Sequence, residues 1–257
     1  MGNVAYFSSL GPAYDQRVKP DVVAPGAGLE SAEAAKQGSG ARSCETTFKQ
    51  GTSMAAPAAA GAAALLRQYF QDREGRFWTR TCAPSGDLFC AAFTPSGVLL
   101  KALLLHSGEP MRRFNGERAV DLTGKKGRPD EYQGFGRVQL SNVLPLPGKT
   151  SFQLTVRDMV ELRERSSVTH SFKVTDSSRP LVVTISWYDP PAVSGAAKAL
   201  VNDLDLVLKL PGGGKLLGNL PPGGAGRDRV NNNERIMLRS PVKGRYHAVV
   251  RARALPV

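Results

Sequence analysis

Gly51-Thr52-Ser53-Met54-Ala55-Ala56-Pro57 opens the run SMAAPAAAGAAALLRQYF at residues 53–70. Alanine is the strongest helix former, and Pro57 is tolerated only near a helix start. The run therefore predicts a helix beginning at Ser53. A hydroxyl in the first turn stands among backbone N–H groups that lack an intrahelical partner, at the positive end of the helix dipole. Negative charge developing on a nearby oxygen is stabilised there, as a serine nucleophile and an oxyanion require. Gly51 lets the backbone turn tightly and a substrate come close. Serine is also a common N-cap, and Gly-Thr-Ser by itself does not separate the two roles.

A second group with chemical potential is Asp189, Asn202, Asp203 and Asp205. Clustered carboxylate and amide oxygens could hold calcium, which takes six to eight oxygen ligands. The alternative is a turn in which Asn and Asp bond their own backbone, with Asp203 and Asp205 pointing outward from Leu204 and Leu206. The three cysteines, Cys44, Cys82 and Cys90, are too few for a disulfide framework and lack CxxC spacing. Cys82 and Cys90 flank the turn-forming Pro84-Ser85-Gly86-Asp87, so they are expected to bridge if the protein is secreted, with Cys44 unpaired. Three reduced thiols are the alternative.

The elements that position these groups change character at Leu144-Pro145-Leu146-Pro147-Gly148. Before it, a second helix is expected over 96–106, signalled by Thr94-Pro95-Ser96 and apolar nearly all round, hence buried. Residues 76–92 read as an irregular excursion. After the break, apolar residues alternate: Phe152/Leu154/Val156, Val168/Phe172/Val174, Leu181/Val183/Ile185/Trp187, Leu204/Leu206/Leu208/Leu210, Ile236/Leu238 and Tyr246/Ala248/Val250/Ala252. With turns such as Pro211-Gly212-Gly213-Gly214 between them, these read as an antiparallel β-sandwich or barrel. Two domains follow, 1–147 and 148–257.

Composition narrows the function class. The 257 residues carry a formal charge of +12, with 41% hydrophobic and 22% charged side chains, ordinary globular values. Residues 1–147 hold 17 basic and 13 acidic side chains, and residues 148–257 hold 17 and 9. The cations are spread singly, without nucleic-acid motifs, so specific nucleic-acid binding is not expected. No apolar run reaches the roughly 18 residues of a membrane span, and the N-terminus lacks the pattern of a signal peptide.

The longer context of Ser53 resembles a known family. G-T-S-M-A-x-P is similar to the nucleophile motif of the subtilisin-like serine proteases, the subtilases. Phe7-Ser8-Ser9-Leu10-Gly11-Pro12 followed by Lys19-Pro20-Asp21-Val22-x-Ala24-Pro25-Gly26 resembles the segment preceding it in that family. Gln133-Gly134-Phe135-Gly136-Arg137-Val138 is similar to the segment closing many subtilase catalytic domains. Val201-Asn202-Asp203-Leu204-Asp205-Leu206 looks like the motif of a subgroup with a C-terminal jelly-roll-like β-sandwich.

The resemblance implies an α/β fold, the C-terminal part of a parallel-sheet catalytic domain, followed by an all-β sandwich. It implies peptide-bond hydrolysis of polypeptide substrates through an acyl-enzyme on Ser53. The Ser53 N–H would be one oxyanion donor, the Thr52 hydroxyl would assist, and Gly51 belongs to the substrate loop. Gln50 stands where the family usually has glycine. No cofactor is required for this chemistry, and calcium is implied as a structural ion. A complete member would be secreted.

The family orders its triad Asp, His, Ser, but no histidine precedes Ser53, and the family's Asp and His motifs and oxyanion Asn are absent. His106 reads as a core or helix-end residue, and His170 and His247 fall in strands. The chain is thus expected to be N-terminally incomplete and inactive alone. Two alternatives are a non-catalytic truncated subtilase acting as an interaction module, and a basic surface binder using the more cationic second half.

Overall fold

The computed structural model describes residues 2–34, 45–72, 92–116, 119–125, 127–146, 148–221 and 223–256. The expected Cys82–Cys90 bridge and Cys44 lie outside the described residues.

Helix α1 runs Thr52–Phe70 and α2 runs Gly97–Ser107. On α1 the buried residues are Ala62, Leu66, Tyr69 and Phe70, one stripe at helical spacing. Leu66, Tyr69 and Phe70 meet Leu99 and Leu103 of α2, Val143 and Leu154 in one cluster. The Tyr69 hydroxyl donates to the Pro145 carbonyl at 2.8 Å, so this buried aromatic leaves no polar tip unsatisfied. Burial raises its pKa to about 12.

Strands in the first half are short. β1 (Asn3–Val4) pairs in parallel with β4 (Arg113–Phe114), which continues antiparallel to β5 (Val120–Asp121). β2 (Leu29–Ala32) and β3 (Thr46–Lys49) form an antiparallel pair. The second half is mostly sheet: β6 (Ser167–Val174), β7 (Leu181–Ser186), β8 (Asp203–Lys209), β9 (Lys215–Leu217), β10 (Asn233–Leu238) and β11 (Gly244–Ala254). One antiparallel sheet has the order β6-β11-β8-β9, and β7 pairs with β10 in another. Leu206, Leu208, Tyr246 and Ala248 of the first pack with Ile236 of the second. Tyr246 is stacked on Phe172 at 5.9 Å between ring centroids.

Residues of the second half grip α2 at both ends. At its start, Asp158 accepts from the Ser96 N–H (2.8 Å) and hydroxyl (2.6 Å), while the Ser96 oxygen caps the Leu99 N–H. At its end, Arg235 donates to the carbonyls of Leu105 (2.6 Å) and Gly108 (3.2 Å), and also to Gly127 (2.7 Å). Anion at the N-terminus and cation at the C-terminus both match the helix dipole.

Two expectations are corrected. Phe152, Leu154 and Val156 are not in a strand; Leu154 is buried and Val156 packs with it against the two helices. Alternation signals only that one side of an extended segment meets apolar surface, here a helix pair. Asp203 and Asp205 do not point into solvent: they are 9% and 1% exposed. The face of β8 opposite its leucines is covered as well, and three arginines hold those carboxylates.

Candidate functional site

Ser53 lies in the first turn of α1 and is exposed, as is Thr52. Gly51, the N-cap, has φ of 150°, a region that favours glycine. Its N–H donates to the Gly26 carbonyl at 2.8 Å. A side chain on Gly26 would sit 2.8 Å from the Gly51 oxygen and 3.0 Å from Ala55 Cβ, so only glycine allows this approach.

The other motifs converge behind that contact. Phe135 N–H donates to the Asp21 carbonyl (2.9 Å), Val23 N–H to Gly136 (3.0 Å) and Val138 N–H to Val23 (2.9 Å). Gly134, at φ of 58°, lies against the Pro20 and Asp21 carbonyls. Buried Gln133 accepts from the Met111 N–H at 2.6 Å and donates to Asp130 at 2.8 Å. A continuous set of backbone bonds therefore runs from the 133–138 segment through residues 21–26 to the turn before Ser53. The second half braces it from outside: Ala199 N–H donates to Asp15 (3.1 Å) and Val18 N–H to Asn231 (2.8 Å).

Beside α1, Ala24, Pro25, Ala58, Gly61, Leu65 and Val138 line an apolar concavity of about 600 Å³. Leu65 is 53% exposed there.

Among the described residues, neither the Thr52 nor the Ser53 hydroxyl has a side-chain partner. Nδ1 of His106 lies 3.1 Å from the Thr184 hydroxyl, and burial followed by the charge of Arg235 pushes that imidazole down to about 4. Nδ1 of His247 lies 2.8 Å from the Ser171 hydroxyl, and His170 is on β6. None hydrogen-bonds Ser53. Asp15 binds Arg17 and the Ala199 N–H, and Asp21 pairs with Lys19 and, at 3.7 Å, with Lys101 of α2, so both acids are engaged away from Ser53.

The expected calcium residues are brought to one region, but with other partners. Asp189 accepts from the N–H groups of Val201 (2.9 Å) and Asn202 (2.7 Å). Asp203 pairs with Arg229 at 2.7 Å; Asp205 meets Arg253 at 2.8 Å, Arg227 at 3.2 Å and Arg229 at 3.5 Å. Among the described residues no group of three or more His, Cys, Asp or Glu side chains is arranged to hold a metal ion. Guanidinium groups hold one side of the Asp203 and Asp205 carboxylates, while Asn202 Oδ1, Asp203 Oδ1 and Asp205 Oδ1 are buried without a hydrogen-bond partner among the described residues. Nearby Glu234 is 2% exposed; burial, then Asp228, Asp205 and Asp203, raise its pKa to about 8.

Asp158, Glu234 and Arg235 shape this architecture and escaped the sequence reading. Gln133 was visible only as the first letter of its motif.

The family model described as the subtilase family, Peptidase_S8, matches residues 1–136. The chain belongs to the subtilase family. Similar relatives include the serine protease/ABC transporter B family proteins tagD and tagB of Dictyostelium discoideum. The first is 30% identical over 244 residues, covering 80% of this chain and 13% of the relative. The second is 28% identical over 304 aligned residues, covering 99% and 16%. A PII-type proteinase of Lacticaseibacillus paracasei is 27% identical over 176 residues, 67% of this chain and 8% of the relative. The chain thus spans a small part of the length of these subtilase relatives. Among the described residues, no helix is long and apolar enough to cross a membrane.

Proposed function

We propose that this chain carries the nucleophile-bearing part of a subtilisin-like serine endopeptidase, with Ser53 as nucleophile and polypeptides as substrates. The observation that carries the reading is an exposed Ser53 in the first turn of α1, held from behind by the family's other motifs. Ser53 Oγ attacks the scissile carbonyl, the amine leaves, and water hydrolyses the resulting ester. The Ser53 N–H and Thr52 hydroxyl face the oxyanion, and Gly51 gives the substrate backbone room. Among the described residues no base or orienting acid contacts Ser53, and the small-residue side of α1 with its apolar concavity is where a segment carrying them would seat. Residues 1–147 are the α/β catalytic part, and 148–257 form a jelly-roll-like β-sandwich that braces it. Family chemistry needs no cofactor.

The unpartnered Ser53 hydroxyl also suits the second reading, a non-catalytic interaction module. One experiment separates them. The purified chain is assayed on a fluorogenic peptide and on casein, alone and fused behind a subtilase segment that carries the family's Asp and His motifs, each with Ser53→Ala. The expected result is no Ser53-dependent hydrolysis alone and Ser53-dependent hydrolysis in the fusion. Activity of the isolated chain that vanishes in Ser53→Ala would refute the need for an added base and acid. A folded fusion with no Ser53-dependent turnover would refute the nucleophile assignment.

A further inference from the structure

Where the face of the four-stranded sheet opposite its leucines is exposed, at Lys209 and beyond, it is cationic in a way its strands do not require. Residues directly opposite across antiparallel strands point to the same side. Lys215 faces Lys209, and Lys209 faces His247. In the next register position along β11, Arg245 faces Lys173. Further along, Arg251 and Arg253 follow on the same side of β11. Lys173, Lys209, Lys215, Arg245, Arg251 and Arg253 are all exposed. The only acids on these four strands are Asp203 and Asp205, both buried beneath arginines. Among the described residues, Lys173, Lys209, Lys215, Arg245 and Arg251 form no ion pair.

Like charges directly opposite each other destabilise a sheet, and this one has two such pairs, Lys209/Lys215 and Arg245/Lys173. A bound polyanion relieves both. Hydroxyls of Ser167, Thr169 and Ser171 stand on the same exposed side of β6 and supply hydrogen-bond donors. At one end the face falls into a polar recess of about 340 Å³ lined by Arg165, Ser166, Ser167, Arg251 and Arg253, wide enough for an anionic substituent.

We propose that this face is a docking surface for a linear sulfated polysaccharide. The chemistry of the face selects that occupant. Phe172 and Tyr246 turn inward to the core, so among the described residues no Phe, Tyr or Trp of these strands is presented for base stacking, and the His247 imidazole is held by the Ser171 hydroxyl. None of the exposed large apolar side chains lies on β6, β8, β9 or β11, so nothing there inserts into a lipid surface. Exposed cations and hydroxyls flanking the buried Val207 and Val249 suit a polymer that offers only charge and hydroxyl groups.

The test uses the whole chain and heparin as probe. Binding is measured against salt for wild type, for the triple variant Lys209→Gln/Lys215→Gln/Arg245→Gln, and for a control, Lys49→Gln/Arg67→Gln/Arg113→Gln, with the same change in charge. All substituted side chains are exposed, and circular dichroism verifies folding; the single variants Lys209→Gln and Arg245→Gln carry the comparison if the face triple unfolds. The expected result is at least about tenfold weaker binding and a shallower salt dependence for the face triple, with the control near wild type. Equal loss in both triples would overturn the proposal, since net charge alone would then explain binding. Tighter binding of single-stranded DNA or of anionic phosphatidylserine vesicles than of heparin at equal salt would overturn the assigned ligand.

Discussion

Replacing Arg235 tests the join between the two halves. The side chain is 4% exposed, donates to three main-chain carbonyls and lies 5.1 Å from the centre of the Phe135 ring. No carboxylate pairs with it among the described residues, and burial pulls its pKa down to about 10. Arg235→Met keeps most of the volume and removes every donor. Hydrogen bonds from a charged group contribute about 1.5–3 kcal/mol each, and three are lost. Relief from burying an unpaired guanidinium returns several kcal/mol. The balance is a loss of about 2–4 kcal/mol. Arg235→Lys should be at least as damaging, because a point charge stays buried while one ammonium cannot reproduce the planar fork that reaches Leu105, Gly108 and Gly127. Urea unfolding followed by circular dichroism reads this as a lower midpoint at unchanged slope. A Met variant within about 0.5 kcal/mol of wild type, within the range of surface substitutions, would refute the reasoning. So would a Lys variant more stable than the Met one.

Three further outcomes are expected. Glu234 has a folded pKa of about 8 against an ordinary value of 4.5, so the stability linked to its protonation is present below about 4.5 and lost as pH rises through 8. Glu234→Gln keeps an acceptor for the Leu206 N–H and should remove that decline, gaining on the order of a few kcal/mol at pH 9 by urea titration; a decline unchanged in the variant would exclude Glu234 as its source. His106 is shifted the opposite way, from 6.5 to about 4, so its linked stability is full above 6.5 and lost as pH falls toward 4; His106→Gln should flatten that acid limb in thermal melts between pH 4 and 7, and a limb as steep as wild type would count against it. In limited proteolysis, residues 148–257 should outlast residues 1–147, because α1 leaves Leu65 and its small-residue side uncovered while the two antiparallel sheets share a core; survival of the first half alone would reverse that ordering.

Local chemistry wrote several elements into the chain. Alanine content and the placement of Pro57 set α1, expected from Ser53 and found at Thr52–Phe70. Thr94-Pro95-Ser96 set the start of α2, with Ser96 as its cap. Period-two apolarity set β6, β7, β10 and β11, because each has one face on a common core. The motifs around Ser53 carried the family, since close backbone approaches at Gly26 and Gly134 admit no other residue type. Tertiary structure decided the rest. The alternation at 152–156 is the same for a strand and for an extended segment lying on helices, and only the partner distinguishes them. The pattern of β8 reports its leucine face but not what covers the other, so the arginines on Asp203 and Asp205 arrive from positions 227, 229 and 253 without a local signal. Asp158 and Arg235 behave as ordinary surface residues in sequence. They become the two ends of a helix clamp only because folding brings residues 62 and 130 positions apart into hydrogen-bond contact. Periodicity is a property of one segment, whereas the identity of a partner is a property of the whole chain's path.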